Sequence, residues 1–104
     1  MEEPILRRTW AEIDLDALAH NYQQARRKIG PNVKYLGVVK ADAYGHGAVE
    51  CAKIMHATGC DMFAVATVME GVELRRGGIA EPILVLSEPP ATAIDTLLEH
   101  SLMP

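Results

Sequence analysis

One pattern recurs three times along this 104-residue chain and restricts its fold more than any other feature: a short apolar run, a polar or glycine-rich turn, then a helical segment. The runs are Tyr35 to Val39, Met62 to Ala66 and Ile83 to Leu86. Each is mostly continuous in its hydrophobicity and rich in Val, Ile or Leu, as strands covered on both faces must be, whereas a strand with one wet face alternates. The helices carry their own punctuation. Gly59 ends one running from about Gly47 to Thr58, Thr67 and Glu70 form a capping box that opens the next, and Gly77 with Gly78 closes it. Pro89 and Pro90 lead into a last helix from about Thr92 to His100. Strand alternating with helix builds βα units with right-handed crossovers, and therefore a parallel sheet.

Upstream of the repeat, Trp10 to Leu15 alternates apolar and acidic residues and predicts a short half-buried strand. Leu15, Leu18, Tyr22, Ala25 and Ile29 then step by three and four along one helical face, with Asp14 placed to cap the start and Gly30-Pro31 to stop it. Two parallel architectures remain, an open doubly wound sheet and a closed barrel. A full barrel needs roughly 250 residues, so three units supply only part of its wall. The expected fold is α/β: a partial TIM (β/α)8 barrel of about three βα units preceded by a strand and a helix, with residues 1–104 as one piece. Three such strands leave both sheet edges unpaired, so the expectation is a fragment or a piece completed by another chain.

Composition narrows the function classes. Hydrophobic residues make up 49%, enough for a core, and the formal net charge of -4 gives no electrostatic reason for a nucleic-acid or anionic-membrane partner. No stretch approaches the roughly 20 apolar residues of a membrane helix, and the start, MEEPILRRTW, lacks a signal peptide's apolar core, so the expected location is cytoplasmic. Cys51 and Cys60 match no metal spacing and read as reduced and buried; none of the four histidines pairs at i, i+4, and no metal is expected. Arg7-Arg8, Arg26-Arg27-Lys28 and Arg75-Arg76 read as solvated faces, and Met55, Met62 and Met69 as core filler.

The chemistry concentrates in Leu36 to Gly47, LGVVKADAYGHG. Ligands bind at the carboxyl ends of strands in parallel α/β folds, and Lys40 closes the first such strand. Side chains alternate, so Leu36, Val38 and Lys40 share a face, and a barrel interior there would partly desolvate the amine. Desolvation favours the neutral amine, the form that attacks an aldehyde, which suits Lys40 to Schiff-base formation with a carbonyl ligand such as pyridoxal phosphate. Gly45 and Gly47 permit close backbone approach, and the following helix start favours a phosphate. Tyr44 offers a hydroxyl at the same mouth. His46 and Asp42 read as organisers of the turn through hydrogen bonds rather than as catalytic groups.

The run VVKADAYGHG resembles the cofactor-attachment signature of alanine racemases, and the flanks TWAEIDLDALAHNY and EPILVLS are similar to that family's amino-terminal strand-helix and third barrel strand. The resemblance covers about Arg8 to Glu88. It implies pyridoxal 5'-phosphate as cofactor, Lys40 as its Schiff-base lysine and one of two acid/base groups, and Tyr44 as a phosphate ligand. Val38 and Leu86 match apolar residues lining the cofactor, although packing alone also explains them. It implies an isomerase interconverting L- and D-alanine for cell-wall synthesis, a small amino-acid substrate, and a homodimer for the full-length protein. The second base, a tyrosine of the partner subunit's carboxy-terminal domain, and the arginine pairing with the pyridine nitrogen have no counterpart in this chain, so it is not expected to racemise alone. The lysine motif does not select the substrate side chain: a serine or broad-specificity racemase carries it as well, and a non-catalytic cofactor carrier or an inactive truncated remnant are the readings outside enzymes.

Overall fold

All three apolar runs become strands of one parallel sheet in the computed structural model, which describes residues 9–104; the Arg7-Arg8 pair lies outside them. The elements in chain order are α1 (Leu15–Ile29), β1 (Leu36–Val38), α2 (Lys40–Tyr44), α3 (Ala48–Ala57), β2 (Met62–Val65), α4 (Val68–Arg76), β3 (Ile83–Val85), a 3-10 turn (Ala91–Ala93), α5 (Ile94–Glu99) and β4 (Leu102–Met103). Strand order is β1-β2-β3-β4, all neighbours parallel. A sequential parallel order is how a barrel wall is laid down, and the sheet stays open after four strands.

Register explains where the core sits. Gly37 pairs with Phe63, Phe63 with Ile83 and Ile83 with Leu102, so these residues form one row across the sheet. Phe63, Val65 and Ile83 have no exposed surface and pack with Leu74, Val72, Cys51 and Ala52 from the helices. The alternate rows, Leu36–Met62 and Val38–Ala64–Leu84–Met103, belong to the other face, where Leu36 and Val38 keep 38% and 39% exposure. Fully burying a side chain such as Ile or Phe contributes about 1.5–3 kcal/mol, so the helix-covered face holds this sheet together and the other face contributes much less.

Local signals in the sequence account for the helices. Asp14 Oδ1 accepts from the Ala17 amide at 3.0 Å and opens α1, whose Tyr22 is buried edge-on against Tyr35 with ring centroids 4.5 Å apart. Thr67 and Glu70 form the reciprocal capping box of α4. Cys51 and Cys60 are buried free thiols, and burial pushes both up in pKa.

The structure corrects the strand expected over Trp10 to Leu15. Residues 10–14 are not in a strand, and Trp10 is 56% exposed with its indole N–H donating to Glu12. Alternation selects which side a strand would bury, but a strand also needs a neighbour to bond, and no ladder among the described residues includes this segment. The basic patches are also more than solvated faces. Arg26 donates to the Val33 carbonyl at 2.7 Å and pairs with Asp61 at 3.5 Å, while Arg75 donates to four carbonyls.

Gly77, just past α4, shows how closely the helical layer is packed. A Cβ there would stand 2.5 and 2.8 Å from the two γ-carbons of Val49 on α3. Valine is stiff about χ1 and sits on a helix, so it cannot turn aside. Gly77→Ala is expected to lower stability by about 1–3 kcal/mol in denaturant unfolding, through overpacking.

Candidate functional site

Strand β1 delivers Lys40 to the carboxyl-end rim of the sheet. Val39 is buried on the helical side and its amide donates to the Ala64 carbonyl at 2.9 Å, which extends the β1–β2 ladder by one bond. The strand ends at Val38, Val39 (φ -123°, ψ 25°) turns the chain out of it, and Lys40 is half-buried as the first residue of α2. Among the described residues no carboxylate pairs with it and no hydrogen bond engages its amine.

The chain next takes an uncommon path. Ala41, Asp42 and Ala43 have φ of 51°, 56° and 54° with ψ of 44–45°, and Tyr44 follows with φ 56°, so α2 is a left-handed turn built from non-glycine residues. Left-handed helical geometry costs about 1–2 kcal/mol per L-residue, so it persists only where the surroundings enforce it. They do so from several sides. The Ala43 amide donates to the Val39 carbonyl at 2.9 Å, and its methyl is buried. Asp42 Oδ1 accepts from the Ala48 amide at 2.8 Å, and the Asp42 carbonyl accepts from Gly47 at 2.9 Å. His46 Nδ1 lies 3.0 Å from the Ala43 carbonyl. Asp42 and His46 thus organise the turn, as their residue types suggested.

Ala41 is exposed, so its methyl contributes strain without packing. Ala41→Gly is expected to raise stability by about 0.5–1 kcal/mol, the left-handed penalty relieved less the added chain entropy of glycine. Urea unfolding of the two proteins side by side measures it.

Glu70 was visible in the sequence only as a cap, and it does more. Its Oε1 accepts from Ala66 at 2.8 Å and Thr67 at 2.9 Å, and its Oε2 accepts from the Ala41 amide at 2.6 Å. Burial alone would push this carboxyl up, but the amides of Ala41, Thr67 and Ala66 outweigh it and hold the pKa below the usual value.

The structure brings three of the four sequence-predicted site residues to one rim. Val38 ends β1, Lys40 follows two residues later, and Leu86 directly follows β3, so all three lie at the carboxyl ends of the strands. Leu86 is 50% exposed and its amide donates to Val65 at 2.8 Å. Tyr44 stands apart at the end of the left-handed turn, 62% exposed. An apolar cleft of about 410 Å³ lies between Thr67–Met69 and Ser87–Thr96, and neither Lys40 nor Tyr44 lines it. Lys40 offers an amine without an ion-pair partner among the described residues and Tyr44 an exposed phenol, groups whose chemistry is compatible with an aldehyde and a phosphate.

Comparison with known proteins yields one family. The family described as "Alanine racemase, N-terminal domain" matches residues 13–104. An alanine racemase of Halothermothrix orenii is 46% identical over 104 residues, covering 100% of this chain and 27% of that protein. One from Synechocystis sp. is 52% identical over 82 residues, 79% of this chain and 22% of that protein. Among solved structures, alanine racemase from Bacillus anthracis with bound L-Ala-P superposes with a TM-score of 0.91 at 41% identity, covering 96% of this chain and 26% of that one. The chain therefore spans about a quarter of the length of the curated relatives it matches.

Proposed function

Because the chain belongs to the alanine racemase family through that family's N-terminal domain, we propose that residues 1–104 are the cofactor-anchoring portion of a pyridoxal-phosphate-dependent amino-acid racemase. The observation that carries the reading is Lys40, half-buried at the rim of a parallel sheet beside Val38, with no charge partner among the described residues. Pyridoxal 5'-phosphate, when bound, supplies an aldehyde for a lysine amine and an electron sink for charge at a substrate α-carbon. The protein's task is then holding and proton transfer. Lys40 holds the group by its amine and is one of two groups that move a proton at the substrate α-carbon. Tyr44 gives its hydroxyl to the phosphate, and Val38 and Leu86 keep water from the ring's edge.

The proposed substrate is alanine, supported by the names of the relatives and by the L-Ala-P bound to the Bacillus anthracis enzyme. The product D-alanine would serve cell-wall synthesis, in a cytoplasmic enzyme that acts as a homodimer. None of the described helices is long and apolar enough to cross a membrane. The opposite α-carbon face and the pyridine nitrogen require groups from outside residues 1–104, so activity is proposed for the protein of which this chain is a part.

The test is α-proton exchange in deuterated water with added pyridoxal phosphate, followed by chiral separation of alanine and of serine. Exchange with D-alanine formation supports the reading. Faster turnover of serine reassigns the substrate, and cofactor binding without exchange of either amino acid makes the protein a carrier.

A further inference from the structure

Glu70 uses its two oxygens for separate tasks. Oε1 accepts from Ala66 and Thr67 and completes the cap of α4. Oε2 reaches out of the helix to the Ala41 amide at 2.6 Å, 29 residues back along the chain. The Thr67 contact is what a capping box requires; the Ala66 and Ala41 contacts are not part of one. Ala41 is the residue bonded to Lys40, and its N–H opens the left-handed turn, where a helix leaves its first amides without internal acceptors. A charged acceptor seated on α4 therefore grips the peptide unit that begins at Lys40.

We propose that Glu70 is the positioning residue for Lys40: its carboxylate fixes the Lys40–Ala41 peptide plane, and with it the direction in which the amine leaves the rim of the sheet. The inference rests on the reading of Lys40 as the cofactor anchor. Three N–H groups converge on this side chain, and a carboxylate meets them with acceptors alone. Glutamine has the same shape but turns an NH2 donor toward at least one of them. Glu70→Gln thus disables the bridge or the cap, whereas Thr67→Ala removes a hydroxyl from the cap and leaves the carboxylate in place.

The full chain is incubated with pyridoxal phosphate, reduced with borohydride at timed intervals, and the share of Lys40 carrying a pyridoxyl group is read by peptide mass spectrometry. Glu70→Gln is expected to slow incorporation about tenfold or more, the scale on which supporting-shell contacts act. Thr67→Ala is expected to lower the unfolding midpoint while leaving the incorporation rate unchanged. Amide exchange at Ala41 accelerates in the first variant and not in the second. Where Glu70→Gln is too unstable to assay, an ester in place of the Lys40–Ala41 peptide bond deletes the one N–H with the cap intact, and the same slowing is expected. Wild-type incorporation in the ester overturns the proposal, as does wild-type incorporation in Glu70→Gln when Ala41 exchange shows the bridge lost, or equal slowing by Thr67→Ala. Absence of any Lys40 adduct in the unaltered chain overturns the anchor reading instead, and Ala41 exchange then still reports whether Glu70 holds that peptide.

Discussion

Arg75→Met is expected to lower stability by about 3 kcal/mol, roughly 15 °C in unfolding midpoint for a domain of this size. Arg75 Nε donates to His100 at 2.7 Å, Nη1 to Ile79 at 2.9 Å and Glu81 at 2.7 Å, and Nη2 to Ser101 at 3.1 Å. It stands in the last turn of α4, where a cation is also favoured by the helix dipole, and it draws together the approach to β3 and the link from α5 to β4. Methionine keeps most of the aliphatic stem, so what is lost is the donor fork and not the packing. The carbonyls then face a half-buried space without partners. Lysine at this position offers donors from a single atom and is expected to recover less than half of the loss. Arg76 is the internal control: it is exposed, and Arg76→Met is expected to stay within about 0.5 kcal/mol of the parent. Equal effects at the two positions would show that the carbonyl clamp contributes nothing.

Lys40→Ala is expected to have the opposite profile. The side chain makes no hydrogen bond or ion pair among the described residues, so its loss is expected to shift stability by less than about 0.5 kcal/mol. Cofactor attachment, read by absorbance after gel filtration, is expected to disappear. Racemisation by the protein carrying the substitution is expected to fall by about 10³-fold or more, because on the proposed reading one group both holds the cofactor and moves a proton. A variant that folds normally, stays coloured and still racemises would remove Lys40 from the mechanism.

Most of the architecture was readable because it depends on short-range patterns that tertiary context reinforces. The apolar runs at Tyr35, Met62 and Ile83, the Asp14 cap and the Thr67–Glu70 box each name their element through a local period or a side-chain-to-amide bond. The strand expected at Trp10 failed for the complementary reason: pairing is not local, and its alternation says nothing about a neighbour. Strand β4 escaped notice because two residues, Leu102 and Met103, are too short to display any period.

The site divides along the same line. The position of Lys40 just past a strand was legible because a strand end is a place that sequence can locate, whereas the roles proposed for Tyr44, Val38 and Leu86 came from the resemblance of the motif to one family. The handedness of Ala41 to Tyr44 was not legible, since alanine and tyrosine carry no preference for positive φ and the enforcing bonds come from Ala48, His46 and Glu70. The same holds for Glu70 and Arg75. A capping glutamate and a helix-end arginine look alike whether their remaining donors or acceptors meet water or a distant backbone, and only the folded chain brings Ala41, His100 and Ser101 to them.

The most direct test is where pyridoxal phosphate attaches. The unaltered chain has four lysines, Lys28, Lys34, Lys40 and Lys53, each of which a proteolytic map separates after borohydride reduction. A pyridoxyl group on Lys40 with the other three unmodified is the predicted result. Label spread over Lys28, Lys34 and Lys53 as heavily as over Lys40 would contradict it.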